Sequence, residues 1–201
     1  MCVNIVTVFA SLAYYWHVAV ANQKRKYSGQ PYTVHTTEVA DIYASFFPKD
    51  EIGIAAAHGH DLLEDTPATV PEMTEQAFQF MGDKFTTGEF SRVIHVIREL
   101  TDVFTSKDYP EMNREARKLA ERNRLMFVRA TAQNVKLADL ISNTRDIVVN
   151  DPGFAVVYLQ EKKELLSILN KADVQMKTYA YQVLREAEET LQKWVDSQSK
   201  I

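Results

Sequence analysis

Apolar residues along this chain recur at spacings of three and four, and no stretch alternates convincingly at two, so the pattern predicts helices throughout. A first helix is expected from about Asn4 to Gln23, and a second from about Val34 to Phe47, with Val39, Ile42, Tyr43 and Phe46 on one face and Pro48 closing it. Asp50 is placed to cap a third helix that begins at Glu51 and carries Ile54, Ala55, Ala56 and Leu62. It should stop near Asp65, because Thr66 precedes a proline. Val70 to Thr74 starts a short helix, residues 82–88 read as a loop, and Phe90, Val93, Ile94, Ile97 and Leu100 form an apolar stripe. Irregular sequence over 105–113 leads into a helix from Arg114 to about Ala132, followed by another to Val149. In that second helix Asp139, Ser142, Asn143 and Asp146 make a polar stripe, while Leu137, Leu140, Ile141 and Val148 occupy other faces. Asp151-Pro152-Gly153 ends it, and 154–194 reads as two amphipathic helices interrupted near Asn170 to Asp173. With no internal repeat, low-complexity stretch or linker, the expectation is one all-α domain over residues 1–201, with a core of about 18–169 and a C-terminal helical extension of about 170–201.

Composition agrees with helices and narrows the function. Six glycines and six prolines in 201 residues are too few for a sandwich or barrel with many tight turns. A chain of this length can bury roughly 70% of its unfolded surface without staples. The single cysteine, Cys2, excludes a disulfide framework and a cysteine-rich zinc module. Twenty-three Lys and Arg against 27 Asp and Glu leave a net charge of -4, which argues against a nucleic-acid-binding surface. The apolar stretch from Val3 to Tyr15 lacks a basic leader and a cleavage site, and falls short of the roughly 20 residues that span a bilayer. It is expected to be a buried helix of a cytoplasmic protein with no membrane partner.

The densest chemical signal is His60-Asp61-Leu62-Leu63-Glu64-Asp65-Thr66. On a continuous helix His60 and Glu64 stack one turn apart, as do Asp61 and Asp65, giving a polar patch flanked by Ala55, Ala56, Leu62 and Leu63. Such a patch is either an exposed, charged helix end or a metal platform, since clustered carboxylates beside apolar residues need pairing or a cation. His35 and Asp139 would complete a set spread over three helices. Taken singly, His35 reads equally as a helix-start histidine and Asp139 as a solvated charge. Lys24-Arg25-Lys26 is either a solvated helix end or a local cation source for a phosphate-rich ligand.

The ordered series His35, His60-Asp61, Asp139 resembles the pattern of the HD-domain metal-dependent phosphohydrolases. Residues 23–32 (QKRKYSGQPY), the run His60 to Thr66, Lys136-Leu137-Ala138-Asp139 and Asn143-Thr144-Arg145-Asp146 resemble the hydrolase domain of the RelA/SpoT alarmone enzymes. Leu100-Thr101-Asp102-Val103, residues 113–118, Asp151-Pro152-Gly153-Phe154, Tyr158-Leu159 and Glu161-Lys162 resemble the stand-alone small alarmone hydrolases. The likeness covers roughly 18–169 and implies an HD-domain helical bundle. It further implies His35, His60, Asp61 and Asp139 as ligands of one divalent metal, usually manganese. Glu64 and Asp65 would be the acidic pair acting on the attacking water, and Arg25, Lys26 and Asn143 the substrate contacts. The implied reaction removes the 3′-pyrophosphate from guanosine tetra- or pentaphosphate (ppGpp or pppGpp), without synthesis of the alarmone. A small-molecule nucleotide is thus the expected partner, with a homo-oligomer left open.

The chain departs from the family pattern in places. Ala19-Val20-Ala21-Asn22 stands where relatives commonly carry Ala-His-x-Gly, Thr36 replaces the usual proline after His35, and His58-Gly59 fills two apolar positions. A mid-helix glycine costs about 1 kcal/mol relative to alanine, so Gly59 is expected to loosen the central helix. His58 lies about 200° around a helix from His60 and should not share the metal. His17 and His95 read as ordinary helix residues, Tyr14-Tyr15-Trp16 as core or lid packing, and Cys2 has no nucleophile context. Two other functions fit the same residues: an HD phosphohydrolase acting on a deoxynucleotide, an adenosine alarmone or the 2′-phosphate of NADPH, and a non-catalytic nucleotide-binding regulator. The pair Glu64 and Asp65 argues against the last, because a pure binder needs no water-activating carboxylates.

Overall fold

Asn4 starts the first helix by turning its side chain back on the chain. Its Oδ1 accepts from the Thr7 amide at 3.0 Å, satisfying a donor that a helix start leaves free. The computed structural model describes residues 4–198; Cys2 lies outside them. Helix α1 (Ile5–Ala13) buries Ile5, Val8, Phe9 and Leu12, then widens into a π-helical segment, Tyr14–Val20, instead of running as one helix to Gln23. Asn22, at φ 47°, reverses the chain in the left-handed region that asparagine tolerates better than most residues. Lys24, Arg25 and Lys26 therefore lie in a loop rather than on a helix end, and the loop folds back so that Lys24 bridges Pro31.

Helix α2 (Thr33–Phe46) and helix α3 (Glu51–Gly59) follow, and α3 is the centre of the first unit, with α1, α2 and helix α6 (Thr87–Leu100) packed on it. Small residues permit this crowding: Gly53, Ala55, Ala56, Ala57 and Gly59 are all buried. A Cβ on Gly53 would overlap the Tyr43 ring, whose hydroxyl donates to Asp50 Oδ2 at 2.6 Å while Asp50 Oδ1 caps the Gly53 amide at 3.0 Å. A Cβ on Gly59 would meet Ile97 Cδ1 at 2.8 Å and Phe9 Cδ1 at 2.9 Å. Gly59 thus admits close neighbours at the end of the helix. The helix also does not continue to Asp65. It ends at Gly59 and restarts as the short α4 (Leu62–Asp65), with His60 and Asp61 at the joint. Helix α5 (Val70–Met81) is longer than the pattern suggested and opens on a reciprocal cap between Thr69 and Glu72. The stripe Phe90, Val93, Ile94, Ile97 and Leu100 is buried as expected, and Phe90 stacks on Phe9 with ring centroids 5.4 Å apart.

The chain divides into two compact units, Met1–Asp102 and Val103–Ile201. In the second, helix α7 (Arg114–Leu125) stops well before Ala132, and helix α8 (Ala130–Asn150) starts after a break. Two buried side chains hold that break. Gln133 Nε2 donates to the Leu125 carbonyl at 2.9 Å and its Oε1 accepts from the Lys171 amide at 2.8 Å, while Asn134 Oδ1 accepts from the Asp173 amide at 2.7 Å. Asp151 caps helix α9 (Pro152–Ile168), and helix α10 (Val174–Gln198) follows the expected interruption. Helix α8 packs against α9 and α10 around Leu137, Leu140, Ile141, Leu166, Met176 and Leu184. Among the described residues there is no strand, and the all-α class stands.

Candidate functional site

In the first unit the break between α3 and α4 presents His60 and Asp61 at a joint rather than along a helix face. His60 caps α3 and is 3% exposed, and His35, one turn into α2, is 1% exposed. Their imidazoles meet edge to face with centroids 5.2 Å apart, and their ligand nitrogens lie within 4.8 Å of one another. His60 Nδ1 donates to the Ala57 carbonyl at 2.8 Å, which fixes the tautomer and leaves the buried Nε2 facing Asp61. That Nε2 lies 2.8 Å from Asp61 Oδ2, which is 3.8 Å from His35 Nε2. A neutral imidazole lone pair and a carboxylate oxygen at such a distance repel unless a proton or a metal cation is held with them, so the donor set fits a divalent ion. Tyr32 steadies the carboxylate, its hydroxyl donating to Asp61 Oδ2 at 2.7 Å.

Glu64 and Asp65 belong to α4, anchored by Thr66, whose hydroxyl donates to the Leu62 carbonyl at 2.6 Å. Glu64 Oε2 accepts from the Asp102 amide at 3.1 Å, and Asp65 Oδ2 accepts from Gln23 Nε2 at 3.2 Å. Desolvation of its carboxyl, and then the negative charge of Asp61, push Asp65 above the ordinary aspartate range. In the loop before α2, half-buried Arg25 has its main chain tied to Gln30 and Gly29, and Lys26 lies over the Tyr27 ring with Nζ 3.1 Å from its hydroxyl.

In the second unit Asp139 is buried in the middle of α8. Its Oδ2 accepts from Lys136 Nζ at 3.1 Å and its Oδ1 from Asn143 Nδ2 at 2.5 Å, so two members of the polar stripe, Asp139 and Asn143, bond each other. Like His35 and His60 in the first unit, Asp139 is buried. A groove of about 790 Å³ beside Arg114, Lys118, Arg122, Val156, Val157 and Glu161 contains none of these residues.

No family model matches the chain. A GTP pyrophosphokinase of Myxococcus xanthus is 34% identical over 140 residues, a match that covers 67% of this chain but 16% of that protein. A solved structure, described as a metazoan orthologue of SpoT that hydrolyses ppGpp and plays a role in starvation responses, superposes with a TM-score of 0.70. The match covers 92% of this chain and 96% of that one, at 23% identity. The chain has the fold of this SpoT orthologue. The HD-type helical architecture expected from the spaced motifs is therefore present over most of the chain, well beyond the motif residues themselves.

Two residues of the SpoT-like fold were missed as site components. The sequence marks Tyr32 only as part of a motif, although its hydroxyl reaches Asp61. His17 looks like an ordinary helix residue in the sequence, yet it is fully buried, lies 4.8 Å from the Tyr32 ring and bonds Gln23 Oε1 through Nδ1 at 2.6 Å. Burial lowers its pKa and keeps the ring neutral. On an α-helix six residues turn about 600°, which puts positions 17 and 23 on different faces; only the π-helical widening and the turn at Asn22 bring them together. The aromatic run divides as well: Trp16 is buried with Nε1 donating to Gln76, while Tyr14 and Tyr15 are exposed. His58 is half-buried and His95 exposed.

Proposed function

We propose that this protein is a metal-dependent phosphohydrolase that cleaves the 3′-pyrophosphate from ppGpp, giving GDP and pyrophosphate. The observation that carries the proposal is the contact of His60 Nε2 with Asp61 Oδ2, made with Nδ1 committed to a carbonyl and His35 alongside. Asp139 completes the ligand set, and manganese is the expected ion. The likeness to a ppGpp-hydrolysing protein and to a GTP pyrophosphokinase supports the choice of substrate.

When bound, a divalent ion would acidify its water and offset charge on the phosphoryl oxygens. The chain's own residues supply the rest. Ala57 and Tyr32 hold His60 and Asp61 in orientation. Glu64 and Asp65 orient the attacking water and accept its proton, for which a carboxylate with a raised pKa is the better base near neutral pH. The water oxygen bonds to the phosphorus carried on the 3′ oxygen, the bond from phosphorus to that oxygen breaks, and the proton passes to the departing 3′ oxygen. Arg25 and Lys26 meet the phosphates, and Asn143 lines the pocket.

The test is manganese-loaded protein offered ppGpp beside a panel of deoxynucleotides, an adenosine alarmone and NADPH, with products resolved by ion exchange. GDP with pyrophosphate supports the proposal. Turnover of another compound alone replaces the substrate, and tight binding without turnover makes the protein a regulator.

A further inference from the structure

We propose that His17 and Gln23 form a relay that positions the Asp65 carboxylate. The inference rests on the proposed role of Asp65 and adds residues that neither the motifs nor the comparisons assign. Its basis is directional. A carboxylate only accepts hydrogen bonds, so the Gln23 amide must present Nε2 to Asp65, and it does so at 3.2 Å. Oε1 then faces the other way, toward His17 Nδ1 at 2.6 Å, and an amide oxygen can only accept. His17 must therefore donate from Nδ1. Rotating the amide would set Oε1 against the carboxylate, a repulsive contact in place of a bond.

The backbone builds this arrangement deliberately. The π-helical segment and Asn22 return the chain so that the Gln23 amide donates to the His17 carbonyl at 2.7 Å, and the Gln23 carbonyl accepts from the Tyr32 amide at 3.1 Å. Every polar group of Gln23, main chain and side chain, is thus engaged. His17 by contrast leaves Nε2 buried without a hydrogen-bond partner among the described residues. An apolar side chain would fill the same space without that penalty, so the ring is explained by what its Nδ1 end does. The relay fixes the amide, and the amide fixes the carboxylate oxygen that faces it. Both His17 and Gln23 are positioning residues, acting through Asp65.

Steady-state kinetics on ppGpp with His17→Leu, His17→Asn, Gln23→Met and the His17→Leu/Gln23→Met double variant test the relay. Leucine removes the donor, whereas the asparagine amide can place a donor near the Nδ1 position. Expected are a kcat about tenfold lower for His17→Leu at unchanged KM, recovery to within about threefold in His17→Asn, and a double variant no slower than Gln23→Met. A kcat for His17→Leu within about twofold of wild type, no recovery with asparagine, or losses that multiply would overturn it. A second measurement does not depend on the substrate: nitrogen-15 shifts of the His17 ring should show a proton on Nδ1 in the full-length wild-type protein. A proton on Nε2 alone overturns the relay even if ppGpp is hydrolysed. Wild-type protein inactive on ppGpp defeats the proposed function instead, and the ring shifts still decide the hydrogen-bond chain.

Discussion

Asp61 and Glu64 are three residues apart and make opposite predictions. Asp61 Oδ2 faces both imidazoles and Asp139 is the buried acid of α8, so Asp61→Ala or Asp139→Ala should remove bound metal and turnover together. Glu64 Oε2 is engaged by the Asp102 amide and its proposed role is on the water, so Glu64→Ala should keep the metal, measured by elemental analysis, while kcat falls by about a hundredfold or more. Asp65 adds a pH signature. Its pKa is raised by desolvation and by Asp61, so the acid limb of kcat/KM should lie above the ordinary aspartate range, activity falling as pH drops through the raised value. The stability effect has the reverse sense: the fold favours the protonated acid, so its contribution is complete below the unfolded pKa and is lost as pH rises through the folded one. In metal-free protein Asp65→Asn should therefore be more stable than wild type at about pH 7 in urea denaturation, an advantage that shrinks toward about pH 4. The types and order of these side chains were legible in the sequence, because spaced His and Asp blocks survive any error in helix bounds. The partners Tyr32, Ala57, Gln23 and His17 were not, since each depends on a turn or a tautomer that no spacing records.

Elements were legible where periodicity alone decides them and illegible where a joint does. The stripe from Phe90 to Leu100, the cap at Asp50 and the stop at Asp151 all follow from local chemistry. Three joints do not: the widening after Ala13, the break at His60-Asp61, and the gap between Leu125 and Ala130, held by Gln133 and Lys171 across long sequence separations. Propensity also misjudged α3, whose glycines look like weak points and are contact points. By helix propensity Gly53→Ala would gain about 1 kcal/mol. Overlap with the Tyr43 ring, which is itself held by Asp50, should reverse the sign and destabilise the protein by about 1–3 kcal/mol or more in urea denaturation. A variant as stable as wild type would show that α3 can move away from α2.

At the scale of the whole chain, the all-α class followed from the absence of period-two alternation and the scarcity of glycine and proline, and the SpoT-like fold bears it out. The division into two units was not legible, because no composition shift or linker marks residue 102. No described helix is long and apolar enough to cross a membrane, and the apolar first helix is instead buried through Ile5, Val8, Phe9 and Leu12. The net charge of -4 counts Asp61, Glu64, Asp65 and Asp139 as surface acidity, whereas the proposal gathers them around a cation. The most direct measurement of that claim is titration of metal-stripped protein with manganese while GDP and pyrophosphate are followed from ppGpp. The account predicts equal amounts of the two products, rising to a plateau at one ion per chain and abolished by a chelator. Full turnover in stripped protein, or metal-replete protein that releases no pyrophosphate, would contradict it.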